Sequence, residues 1–159
     1  MNDSWEAFAA ALKEESQALS RLQDAALVLT KALVRNAPNE ILAAERALDA
    51  ARRAFQELSS KRRGMQARGF GNMTLRQVCA YAPRRLAPVL GQRLSELSTY
   101  AVGTKISSGN NKALISSGLA RLMRVMTTLQ KAANPGPGTY KRRGFIPPPT
   151  NSVLVSSRA

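Results

Sequence analysis

The chain has 159 residues, of which 24 are lysine or arginine and 10 are aspartate or glutamate, giving a formal net charge of +14 with no histidine and a single cysteine. Without histidine the commonest general base, proton shuttle and metal ligand is missing, and one cysteine excludes an internal disulfide and any multi-cysteine zinc site, so an enzyme is not expected. The charge is unevenly placed: residues 1–58 carry seven basic and nine acidic side chains, a formal −2, whereas residues 59–159 carry seventeen basic ones against one acid, Glu96, a formal +16 that would attract polyanions or simply solvate the surface.

The first pattern places Trp5, Phe8, Leu12, Leu19, Leu22, Ala26, Leu29 and Leu33 at spacings of three and four, with Glu15 as the one interruption. This is a heptad seam and predicts a long helix, capped by Asp3 or Ser4 and ending near Asn36-Ala-Pro38. Glu14, Glu15 and Asp24 read as solvated positions on it. The acidic first fifteen residues do not read as a secretory signal, and no apolar stretch approaches the roughly 20 residues that span a bilayer, so a soluble cytoplasmic protein without membrane insertion is expected.

A second seam runs through Ile41, Ala44, Leu48, Ala51, Phe55 and Leu58, starting within Asn39-Glu-Ile41 and reaching towards Met65. So short a connection between long helices predicts an antiparallel hairpin. Lys61-Arg-Arg63 then suits the negative end of the helix dipole, and Gly64 or Gly69 would stop the helix. Gly69-Phe-Gly-Asn-Met73 reads as a loop, followed by a short helical turn over residues 74–82 in which Cys79 is a buried structural thiol. Neither this loop nor Gly136-Pro-Gly138 has the lysine and the strand-to-helix setting of a phosphate-binding loop.

Pro83 and Pro88 mark places where a new helix can begin. From Leu90 one phase continues for about forty residues through Leu94, Leu97, Ala101, Thr104, Ser108, Asn111, Ile115, Gly118, Leu122, Val125 and Leu129, a helix on the order of 60 Å long at about 1.5 Å per residue. Polar seam positions and Gly103 and Gly109 in its middle predict either a weak, opening segment or a polar layer that fixes register. Further on, Ala113, Leu114, Ile115, Leu119, Leu122, Met123, Val125, Met126 and Leu129 cover a wider arc than packing on one side requires. Part of that arc is expected to serve a partner, with gap-filling in an ordinary core as the alternative for Met123 and Met126. Asn134-Pro-Gly-Pro-Gly138 ends the helix, and residues 139–159 are expected to form a mobile tail rich in proline, glycine and arginine in which Tyr140 and Phe145 could order on a partner. The domain reading is a helical domain over 1–133 and a flexible tail over 134–159; the fold class is all-α, an elongated antiparallel helical bundle made of a long hairpin plus one long C-terminal helix.

The order of these elements resembles the FlgN family, export chaperones for the hook-filament junction proteins of the bacterial flagellum. The residues that carry the likeness are Leu12-Lys-Glu-Glu-Ser-Gln-Ala-Leu19 in the first helix, Arg62-Arg63 followed by Gly69-Phe-Gly71 and Thr74-Leu75, the asparagine-rich centre Asn110-Asn-Lys-Ala-Leu-Ile115 with Leu119 and Leu122 after it, and Tyr140 with Gly144 in the tail. The +16 of the second half departs from the family, whose members are near neutral or acidic. The resemblance implies a cytosolic type III export chaperone, without cofactor or metal, that covers the C-terminal helical region of flagellar hook-associated junction proteins and delivers them to the flagellar export gate. It implies a client-binding surface of Leu114, Ile115, Leu119, Leu122, Met123 and Met126, and Tyr140 as the residue that meets the export gate. Two other classes stay open on the residues alone: a basic helical nucleic-acid-binding protein, though no recognised module or basic-aromatic interleaving accompanies the charge, and a non-exchanging helical scaffold.

Overall fold

A computed structural model describes residues 2–133, which contain four α-helices and no strand: α1 (Asn2–Arg35), α2 (Pro38–Phe70), α3 (Leu75–Ala80) and α4 (Ala87–Ala133). The chain divides into two compact units, Met1–Ile115 and Ser116–Ala159, with the division inside α4. The expected domain boundary at residue 134, the Asn134-Pro-Gly-Pro-Gly138 stop and the tail lie outside the described residues.

In the first unit, α1 and α2 form the expected antiparallel hairpin. Its turn is Asn36 and Ala37 alone. Asn36 has φ 51°, the left-handed region that asparagine tolerates better than most residues, its N–H donates to the Leu33 carbonyl and the Ala37 N–H to that of Ala32, the two bonds of a Schellman ending. Pro38 then opens α2 at the first-turn position where its missing N–H costs nothing. At the other end, α1 already includes Asn2, so Asp3 and Ser4 stand in its first turn rather than ahead of it.

The second helix runs past both glycines expected to stop it. Gly64 and Gly69 each cost roughly 1 kcal/mol in a helix interior, but beyond them Phe70 packs its ring against Trp5 (centroids 4.5 Å apart) and Phe8 (5.2 Å), and this tertiary contact outweighs local preference. The stop comes at Gly71, whose φ of 62° a side chain would resist. Thr74 then caps α3 reciprocally with Gln77: the Gln77 N–H donates to Thr74 Oγ1 at 3.3 Å and the Thr74 N–H to Gln77 Oε1 at 2.8 Å. Val78 and Cys79 of α3 enter the main core with Phe8, Leu12, Leu19, Leu22, Leu90 and Leu97.

The last helix begins at Ala87, with Pro88 second in it, and runs parallel to α1. Ser16 donates to Glu96 across 80 residues of sequence, Thr30 to Asn111 across 81, and Asn111 to the Ala26 carbonyl across 85. The buried Asn111 side chain accepts from Thr30 Oγ1 at 2.7 Å while donating at 3.0 Å, and Ser107 is buried beside this layer in the sequence. The asparagine-rich centre is thus a hydrogen-bonded polar layer inside an unbroken helix, and Gly103 is where a Cβ would overlap the Gln23 side-chain amide of α1.

Two expectations about the seams are corrected. The packed line of α4 is Leu90, Leu97, Thr104 and Asn111 with Tyr100, Ser107 and Leu114, whereas Ala101, Ser108 and Ile115 are exposed. On a helix, positions three and four residues on lie on opposite shoulders of the same stripe, and α1 takes the shoulder that the larger Tyr100 occupies. Glu15 is not solvated: its side chain is 4% exposed, and that of Arg62, read as a dipole-end cation, is 9% exposed in mid-helix. Arg62 donates through Nε to Glu15 Oε2 at 2.5 Å and through Nη2 to Oε1 at 3.2 Å, and its Nη1 bonds Gln66 Oε1, whose amide reaches the Met73 carbonyl at 2.6 Å.

Removing one partner of such a buried pair leaves the other charge uncompensated, which typically costs about 3–5 kcal/mol, whereas an apolar pair of similar volume is often neutral. Arg62→Met is therefore expected to destabilise the fold by about 3 kcal/mol, and Glu15→Leu combined with Arg62→Met to recover most of the loss. Urea unfolding followed by far-ultraviolet circular dichroism measures both; a single variant as stable as the parent chain would contradict the pairing.

Candidate functional site

Residues 116–133 of α4, the described part of the second unit, form a run of helix in which every residue is exposed and which carries large apolar side chains. Leu119, Leu122, Met126 and Leu129 follow one another at steps of three, four and three, which places them on one stripe of the helix. Met123 and Val125 stand on its two shoulders. All six are 53–70% exposed, so the methionines fill no core gap among the described residues. Arg121, Arg124 and Lys131 occupy the opposite side of the helix, and Thr127 and Thr128 donate their hydroxyls to the Met123 and Arg124 carbonyls, one turn back. The result is an amphipathic helix with an apolar arc on one side and a polar side whose charges are all cations on the other.

Of the residues expected to contact a client, Leu119, Leu122, Met123 and Met126 thus share this helix and its apolar arc. Leu114 and Ile115 belong to the first unit: Leu114 is half-buried and Ile115 is 39% exposed. Val125 and Leu129 complete the arc. Tyr140, expected to meet an export gate, lies outside the described residues.

The electrostatics of the first unit modify the reading of the charge asymmetry. Cations of the basic half reach back to acids of α1: Lys61 pairs with Glu14 at 3.3 Å, Arg62 with Glu15, and Arg85 with Glu6 at 2.6 Å. Arg93 pairs with Glu96 at 2.7 Å, and this hydrogen bond, with smaller contributions from Gln92 and Ser16, holds the Glu96 carboxyl below its ordinary value. Past Glu96 the chain has no acid. Lys105, Lys112, Arg121, Arg124 and Lys131 form no ion pair among the described residues.

No group of three histidine, cysteine, aspartate or glutamate side chains converges among the described residues, and no described helix is long and apolar enough to cross a membrane. The residues that sequence reading missed are Glu15, Arg62, Gln66 and Thr30, all of which serve the packing of the first unit. A signal for the first two was present: Glu15 interrupts the seam of α1, and Arg62 stands four residues after Leu58, on the seam of α2.

Cys79 is buried, and burial pushes its thiol above the ordinary value despite the opposing pull of the Arg62 guanidinium. The neutral thiol therefore predominates at pH 7, and only the thiolate reacts. Alkylation by iodoacetamide at pH 7 should be at least tenfold slower in the native protein than in urea; equal rates would show that Cys79 is accessible.

Comparison with protein-family models, with curated proteins and with solved structures finds no match for this chain.

Proposed function

We propose that the protein is a non-enzymatic export chaperone that works in the cytoplasm, binding the C-terminal helical region of flagellar hook-associated junction proteins and delivering them to the export gate of the flagellar type III apparatus. The observation that carries this reading is the exposed stripe of Leu119, Leu122, Met126 and Leu129 with Met123 and Val125 beside it. A helix that presents an uninterrupted apolar stripe to solvent is suited to helix-in-groove recognition, in which apolar residues at steps of three and four on each partner interlock. The likeness of the chain to FlgN-type chaperones supplies the identity of the client and the role of Tyr140; Leu114 and Ile115 are proposed as further contacts on that likeness.

A nucleic-acid reading is favoured by one observation, the five cations from Lys105 to Lys131 that pair with no acid among the described residues. Such binding would be electrostatic and would weaken steeply with salt, since each neutralised phosphate releases counterions. Client binding through an apolar stripe would not. Titration in 50 and 300 mM NaCl separates the two classes: tight, sequence-selective binding of duplex or single strands at physiological salt would displace the chaperone reading.

For the client, calorimetric titration of a helical C-terminal segment of a junction protein should give a dissociation constant between micromolar and nanomolar, about −8 to −12 kcal/mol. Leu119→Asp and Leu122→Asp should each weaken it at least tenfold, because a charge would have to be desolvated in the contact. Their helicity should be unchanged, since both side chains are exposed in the free protein. Unchanged affinity in both variants would remove this stripe as the client surface. Tyr140→Ala should leave helicity and client affinity intact and reduce binding to the export gate, read by pull-down with the gate's cytosolic domain; a loss of client affinity instead would move Tyr140 into the client site.

A further inference from the structure

We infer that the α4 segment over residues 119–129 pairs with the same segment of a second copy of the chain, antiparallel, in the absence of any client. This goes beyond the chaperone reading and does not require it. Labelling the stripe as heptad positions puts Leu119 and Met126 at a and Leu122 and Leu129 at d. The flanking e and g positions are then Gly118, Met123, Val125, Gln130 and Ala132, while Arg121 falls at c and Arg124 and Lys131 at f. In a two-helix seam the e and g residues lie close to the partner, whereas c and f point away from it.

Two consequences of this placement select a second copy. First, the stripe and its flanking positions, residues 118–132, carry three charges, all positive, and like charges across a seam repel. Self-pairing is open to such a segment only if its cations avoid e and g, and here none stands there. A foreign helix with acidic flanks would meet no cation at these positions, so the seam offers no charge complementarity to an acidic partner. Second, the steps three, four, three read the same in either direction. An antiparallel copy therefore sets Leu119 opposite Leu129 and Leu122 opposite Met126, with Met123 and Val125 closing the shoulders around a two-fold axis at the level of Arg124. This is the self-complementary patch that an isologous dimer requires. Lys112, seven residues before Leu119, occupies the preceding a position and limits the seam to a few layers. A seam that short is marginal, so pairing should be weak, with a dissociation constant on the order of 100 µM.

Sedimentation equilibrium on the full chain alone, from about 10 to 500 µM, tests this. The expected result is a monomer–dimer equilibrium that tightens as NaCl rises, because salt screens repulsion between two strongly basic chains. Leu122→Lys should weaken pairing at least tenfold. Val125→Lys, which leaves a and d intact and places a cation on a shoulder, should do the same, while Arg124→Gln at f should not weaken it. All three side chains changed here are exposed, and circular dichroism should match the parent chain; Val125→Lys and Leu122→Lys provide independent readings should one of them lose helicity. Under mild oxidation a chain bearing Leu119→Cys should cross-link to one bearing Leu129→Cys and not to itself, with the buried Cys79 out of reach. Monomer at every concentration would overturn the inference and leave the stripe to the chain's own tail, a lipid surface or a client helix. So would a dimer indifferent to both lysine variants, or a Leu119→Cys chain that cross-links to itself.

Discussion

The buried pair between Glu15 and Arg62 holds the first unit in its arrangement. Each ion loses several kcal/mol of hydration on burial, so the pair adds little net stability; its effect is to make other arrangements costly. Arg62 satisfies both carboxylate oxygens of Glu15 with one end and Gln66 with the other, and Gln66 passes the connection to the Met73 carbonyl, just ahead of the Thr74 cap. That cap starts α3, and α3 delivers Val78 and Cys79 to the core shared with Phe8, Leu12 and Leu90. A slip of either long helix would leave two charges without partners in an apolar surround, and the path from α2 into α3 would lose its fixed point.

The same pair explains part of the lopsided charge. Helix α1 is the acidic element of the chain, and its Glu6, Glu14 and Glu15 each receive a cation from the basic half. The exposed pairs contribute little energy individually, typically below about 1 kcal/mol. Their common direction nevertheless means that the first helix is itself one of the negative surfaces the second half meets. The cations after Glu96 are a different population, since no acid follows them in the sequence and none of them pairs among the described residues.

Much of the fold was legible because long seams leave few alternatives. Three heptad-phased stretches and a connection too short for anything but a hairpin lead to α1, α2 and α4, and the spare apolar arc beyond Ile115 was visible as a surplus of leucine and methionine. What was not legible depended on partners distant in sequence. Glycines 64 and 69 look like helix stops until Phe70 is seen against Trp5 and Phe8, and Tyr100 and Ala101 are equal candidates for the seam until α1 selects a shoulder. Glu15 looked solvated because a lone carboxylate is almost never buried; only the coincidence that Arg62 continues the seam of α2 could have revealed the pair. Tyr140 rests on the family likeness alone.

The two-residue turn at Asn36 and Ala37 gives the hairpin a ruler. In an antiparallel pair joined this tightly, each contact is set by its distance from the turn, and the partners Arg35 and Glu40, Glu14 and Lys61, and Glu15 and Arg62 have residue numbers that total between 75 and 77. Lengthening the turn by one residue would displace every α2 position by about 1.5 Å along the axis and about 100° around it, enough to swing Arg62, far along α2, off the seam. Length variation, which surface connections ordinarily absorb, is therefore least tolerable at this exposed turn, and the buried ion pair is where such a change would be felt.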